Sequence, residues 1–166
     1  MEKLIGTTDV AKIIRKKLRS LFPKQDFSVI SRKYSGGSSI DVRWVDGVAT
    51  EKVEKEIKEY SGSGFDGMQD LKYSKDNPYL VDYVFAERRY SQKVLDLTWQ
   101  IMCEKFAPSV LNDFNQARQH FWKMLQETDF DPSPVDTPTG GNDPVWEHHL
   151  ITLREEKGKN VNIKSV

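Results

Sequence analysis

The sequence predicts an α+β domain: a small antiparallel sheet packed with an N-terminal helix, a second helix and a C-terminal helical hairpin. Three observations predict it. Apolar residues recur at helical spacing over residues 9–22, they alternate at a period of two on both sides of a Gly-Gly pair near residue 36, and helical spacing returns over 91–125. The 166 residues suit one domain with an appended arm. The 8 Phe, 6 Tyr and 4 Trp supply a core that a disordered chain would lack.

The first helix is expected over Asp9–Phe22, capped by Thr7 or Thr8 and ended by Pro23. Val10, Ile13, Ile14, Leu18 and Leu21 form its apolar stripe, and Lys12, Arg15, Lys16 and Arg19 fall on the outer face. Two strands follow at Phe27–Tyr34 and Ser38–Val45, joined through Ser35-Gly36-Gly37, whose glycines permit a tight hairpin. Ile40, Val42 and Trp44 alternate with Asp41 and Arg43, so one face is buried and the other wet. Asp46-Gly47 closes the second strand.

Thr50 is expected to cap a second helix, Glu51–Tyr60, with Val53, Ile57 and Tyr60 inward. Ser61–Tyr79 reads as a glycine-rich loop with a short strand near Asp70–Ser74, before a third strand at Asp82–Tyr90. Ser91 caps a third helix running to Phe106. Pro108 then suits the first turn of a fourth, with Val110, Leu111, Phe114, Ala117, Phe121 and Leu125 as its core face. Domain organisation is therefore 1–127 as one α+β domain and 128–166 as a Pro/Asp-rich arm and mobile tail, with a short element at Val145–Leu153.

Charge and composition exclude several classes. No apolar run reaches the roughly 18 residues of a membrane span, and the N-terminus lacks a secretory apolar core. One cysteine, Cys103, excludes an internal disulfide framework and a Cys-cluster zinc site. A cytoplasmic protein without membrane contact, cofactor or metal is the expectation. Formal net charge is zero, yet residues 1–43 hold ten Lys/Arg against four Asp/Glu, while residues 128–166 hold four against seven. Such a front third can present a locally basic face.

The glycines at 36–37 lack the P-loop pattern and read as a turn; Gly62, Gly64 and Gly67 follow a helix rather than a strand and do not make a dinucleotide fingerprint. Asp46, Asp66 and Asp70 are short carboxylates beside glycines, a common turn composition and the weakest basis for a metal-dependent hydrolase. No nucleophile–base set emerges, so catalytic residues are not assigned. Arg32, Arg43, Arg88 and Arg89, with Tyr34, Trp44 and Tyr90, carry more information. On one open sheet face, aromatics and arginines suit single-stranded nucleic acid. Against this, Trp44 shares the parity of Ile40 and Val42, which favours a core position for it and for Tyr90.

FSVISRKYSGGSSIDVRWVDG (Phe27–Gly47), GSGFDGMQDL (Gly62–Leu71) and YVFAERRYS (Tyr83–Ser91) together resemble the large polyvalent protein-associated domain, twenty-ninth of its series, over about residues 8–91. The resemblance rests on Tyr34, Gly36, Gly37, Trp44, Asp46, Gly47, Phe65, Asp66, Gly67 and Met68 as motif positions, and it assigns none of them a role. It implies an accessory protein of phage or conjugative-element type, acting when mobile DNA enters a host. Two partners follow as expectations. One is nucleic acid or a nucleoprotein complex, contacted by Lys12, Arg15, Lys16, Arg19, Arg32, Arg43, Arg88 and Arg89. The other is a host or mobile-element protein, such as a defence factor to be inhibited, for which Trp122 is a candidate anchor.

Overall fold

A computed structural model describes residues 4–66, 71–74 and 77–138. The fold is α+β, in two compact units: Met1–Arg88 with Glu127–Thr137, and Arg89–Gln126 with Pro138–Val166. Among the described residues no helix is long and apolar enough to cross a membrane.

In the first unit, β1 (Ile5–Gly6) runs directly into α1 (Thr7–Leu21). The expected threonine cap does not form: Gly6 is the N-cap, and the Thr7 hydroxyl donates instead to Leu80 O at 2.8 Å. That bond ties α1 to β6 (Tyr79–Leu80), which pairs in parallel with β1. Val10, Ala11, Ile14 and Leu18 are buried, whereas Ile13, at the edge of the stripe, and Leu21, in the last turn, are exposed.

The hairpin forms as expected, with β2 (Ser28–Tyr34) antiparallel to β3 (Gly37–Asp46) and Tyr34 opposite Gly37. Gly36 makes the turn at φ +116°, open to glycine alone at no steric cost. Ile40, Val42 and Trp44 point inward and are fully buried. Together with Val10, Ile14 and Leu18 they centre the core, each contributing about 1.5–3 kcal/mol through burial. The Trp44 indole N–H is satisfied by Val48 O at 2.9 Å.

Beyond the turn at Asp46 (φ +53°) and Gly47 (φ +63°), α2 (Thr50–Ile57) continues into a 3-10 turn, Lys58–Tyr60. Thr50 lies within the helix, so it is not the cap; Ala49 occupies that position without a side-chain bond of its own. The loop expected over 61–79 contains a second hairpin, β4 (Ser63–Asp66) with β5 (Leu71–Ser74). β7 (Tyr83–Arg89) completes the sheet order β2-β3-β7. Ser38 meets Asp82 and Arg43 meets Glu87, a constant offset of 44, so β7 advances in the same sense as β3. β8 (Pro132–Ser133) adds antiparallel pairing at Val45 and Asp46, past the point where β2 stops at Ser28↔Arg43.

The second unit begins at Arg89 and leads through Tyr90 into α3 (Gln92–Lys105), capped by Ser91, whose hydroxyl accepts from Val94 N. The single fourth helix expected from Pro108 is two: α4 (Pro108–Asn112) and α5 (Phe114–Glu127). Asp113 between them turns its carboxylate onto the N–H groups of Asn115 and Gln116, at 3.0 and 3.1 Å, and so starts a new helix. Tyr90 packs on Trp122, Trp99 on Phe121 and Phe106 on His120, so the whole of α3 is anchored on one short stretch of α5.

Candidate nucleic-acid interface

The sheet of the first unit has one face under α1 and α2 and one face turned away from them. Strand parity decides which residues lie on the second. On β3, Asp41 and Arg43 oppose the inward Ile40, Val42 and Trp44. The register carries Ile30, Arg32 and Tyr34 of β2 to the same side. On β7, Val84 and Ala86 join the core, so Tyr83, Phe85 and Glu87 share the outer side with Arg43.

Three aromatic rings therefore stand on this outer face. Phe85 is 53% and Tyr34 51% exposed, and Tyr83 stacks on Phe85 with centroids 5.9 Å apart at 20°. Between the flanking rings, the central strand places Gly37 and the buried Ser39 on this side. A Cβ at Gly37 would lie 2.8 Å from Asp82 Oδ2 and 3.2 Å from the Tyr34 ring, so any larger residue would have to displace the Asp82 carboxylate. The result is a shallow floor of small residues with aromatic sides.

The charges on the face form a chain. Arg32 Nε is 3.2 Å from Asp41 Oδ2, Arg43 Nη2 is 3.6 Å from the same oxygen, and Arg43 Nε donates to Glu87 Oε2 at 2.7 Å. Arg32 stays 54% exposed while Arg43 is half-buried. Ion pairs held in this way fix the guanidinium planes on this face.

The eight basic candidates do not make one surface. Lys12, Arg15, Lys16 and Arg19 belong to α1, on the other side of the sheet from Arg32 and Arg43. Lys12 pairs with Asp9 at 2.8 Å, and Arg15 donates to Val29 O on the outer edge of β2 at 2.7 Å; Lys16 and Arg19 stand exposed. Arg89 ends β7 and is exposed. Arg88 is a correction. It is 4% exposed and bonds Asp46 O, Gly47 O and Thr128 O at 2.9, 2.5 and 2.9 Å, so it holds the fold and leaves the contact set.

The motif positions divide similarly. Gly36, Gly37 and Gly47 shape turns, and Trp44 is core. Asp46 is buried and accepts the Ser133 hydroxyl at 2.7 Å, a use in the fold. Phe65 and Asp66 lie in β4, while Gly67, Met68 and Asp70 fall outside the described residues, as does Val145–Leu153. Tyr83 and Phe85 are the residues that charge-based reading missed. Their alternation against Val84 and Ala86 was the available signal.

Lys17, on α1, was also missed. It donates to Glu56 O at 2.9 Å and Glu59 Oε1 at 2.7 Å, and lies 5.4 Å above the Tyr60 ring. Its hydrogen bond to Glu59 outweighs burial and raises the ammonium pKa above its ordinary range; the same bond lowers that of Glu59.

A family model described as Large polyvalent protein associated domain 29 matches residues 5–91. No curated protein and no solved structure matches the chain.

Proposed function

The chain belongs to the Large polyvalent protein associated domain 29 family, and from that membership we propose that it is a non-enzymatic accessory protein of a phage or conjugative element that binds single-stranded nucleic acid in the host cytoplasm. The observation that carries this reading is the outer sheet face, where Tyr34, Tyr83 and Phe85 flank a floor of Gly37 and Ser39 with Arg32 and Arg43 alongside. Stacking on such rings contributes about 1–3 kcal/mol per base and tolerates any sequence. The arginines supply backbone contacts, and Asp41 and Glu87 temper their charge, so the binding is moderate.

The test is a titration of the full chain with fluorescent single-stranded and duplex DNA and RNA, at low and moderate salt. Single strands should bind better than duplexes, with affinity falling as salt rises. No association with any of them at low salt overturns the proposal.

A protein partner is the second reading. It is favoured by the pairing of Arg32 and Arg43 with Asp41 and Glu87, which leaves exposed Phe85 and Tyr34 as apolar anchors beside a nearly neutral network. Pull-down from host lysate with and without nuclease separates the two.

A further inference from the structure

The first unit holds a pocket of about 310 Å³ whose walls come from three separate stretches of chain. The corner after α1 supplies Phe22 and Pro23, the turn into α2 supplies Val48, and the arm supplies Phe130 and Pro132. Each wall is pinned at a backbone N–H. Phe22 N donates to Leu18 O at 2.8 Å, Val48 N to Gln25 Oε1 at 3.2 Å, and Phe130 N to Gly47 O at 2.8 Å. The volume lies at the lower end of the range of small-ligand sites, about 300–1,000 Å³.

Four polar residues complete the lining, and three of them are already engaged. Besides accepting Val48 N, Gln25 donates through its amide nitrogen to Asp26 O and Val45 O at 3.2 and 3.4 Å. Asp129 pairs with Lys52 and also accepts Ala49 N. Lys24 is the fourth. It is exposed, and among the described residues it has no hydrogen-bond or ion-pair partner. With Lys52 and Asp129 opposed to each other, the pocket carries one uncompensated positive charge beside an apolar cavity.

We propose that this pocket binds a small aromatic carboxylate. The ring lies against Phe22 and Phe130, where tilted and offset aromatic contacts are favourable, and the acid group pairs with Lys24. A cation would meet Lys24 and gain little from Asp129, whose carboxylate is already engaged. A nucleotide would bury the donors and acceptors of its base edge against Phe, Pro and Val without partners. A hydrocarbon would leave the Lys24 ammonium unpaired. A ligand seated here bridges the corner after α1 and the arm, and so steadies the segment that caps α2. This goes beyond the sheet-face reading and uses none of its residues.

The experiment is isothermal titration of the full chain with phenylacetate and indole-3-acetate, with acetate and the neutral phenylacetamide as controls. Saturable binding of an aromatic acid is expected, about tenfold tighter than phenylacetamide and weakened about tenfold by Lys24→Gln, as loss of one charge-assisted contact predicts. The bound acid should raise the thermal midpoint and move the methyl resonances of Val48. Lys24 is exposed, so its substitution leaves the fold intact. No saturable binding by either aromatic acid, or acetate or phenylacetamide bound as tightly, overturns the proposal. So does an affinity unchanged in Lys24→Gln, or binding that leaves the Val48 methyls unmoved.

Discussion

The carboxylate of Asp129 accepts the backbone N–H of Ala49 at 2.8 Å, so α2 is capped by a residue 80 positions further along the chain. The other carboxylate oxygen pairs with Lys52, in the first turn of the same helix. An acid at this end of a helix satisfies an orphan donor and meets the positive end of the dipole. Asp129→Ala should lower stability by about 1 kcal/mol, read as a fall in the urea midpoint at unchanged slope.

The same acid gives a pH dependence. Burial pushes the Asp129 pKa up, but the Lys52 hydrogen bond, the Ala49 N–H and the charges of Lys52 and Arg88 bring it below the ordinary carboxylate value. A depressed folded-state pKa means that the stabilisation is present above the unfolded value and lost as pH falls through the folded one. The difference in thermal midpoint between wild type and Asp129→Asn should therefore shrink on acidification below about pH 4. A constant difference would refute the assignment.

Lys17 makes the complementary case. Its raised pKa stabilises the fold fully below about pH 10.4 and progressively less as pH rises through the folded-state value. The lowered pKa of Glu59 places the acid-side loss of the same contact below the usual Glu range. Lys17→Met should cost about 1 kcal/mol at neutral pH, with the deficit narrowing in strongly alkaline melts.

Gly47→Ala should be among the most damaging single substitutions. Its φ of +63° disfavours a side chain, and a Cβ would fall 1.5 Å from Gln25 Oε1, the oxygen that accepts Val48 N. Gln25 is buried, and moving it breaks that bond. A loss of about 2 kcal/mol or more is expected. Gln25→Ala in the same chain should recover the part due to collision and leave the backbone part, which a double-mutant cycle by urea unfolding measures.

Phe85→Ala and Tyr34→Ala should separate function from folding. Both rings are more than half exposed, so each change should alter stability by less than about 0.5 kcal/mol. Each should weaken single-strand binding by about tenfold, within the stacking range. Loss of stability without loss of binding would remove the outer face from consideration.

Legibility in the sequence followed the distance over which each feature is determined. α1, the β2–β3 hairpin, β7 and α3 rest on periodicity and local turn chemistry, and Ser91 caps a helix three residues away. The cap of α2 leaves no such trace, since Asp129 reaches it only through the tertiary fold. Thr7 looked like a cap because its hydroxyl was adjacent, yet the helix already begins at Thr7 and Gly6 takes the cap position. Asp113 was hidden by continuity: the apolar spacing of Val110, Phe114 and Ala117 passes straight through it, and only its bonds to the following N–H groups reveal the break. β4, β6 and β8 span two to four residues, too short for a period. At the site, Arg88 and Arg89 are chemically equivalent in sequence, and only the inward parity of Val84 and Ala86 distinguishes the buried one.

Arg88 Nη2 holds Thr128 O at 2.9 Å, so the chain leaves the first unit and re-enters it at neighbouring, hydrogen-bonded positions. Everything from Arg89 to Gln126 is then a topological excursion, an inserted module whose two ends already meet. Apart from Arg89, which ends β7, the sheet takes no strand from those residues; it needs of them that 88 and 127 stay joined. The first unit can thus accept an exchange of its insert, or a short glycine bridge in its place, without altering the segment that caps α2 and supplies β8.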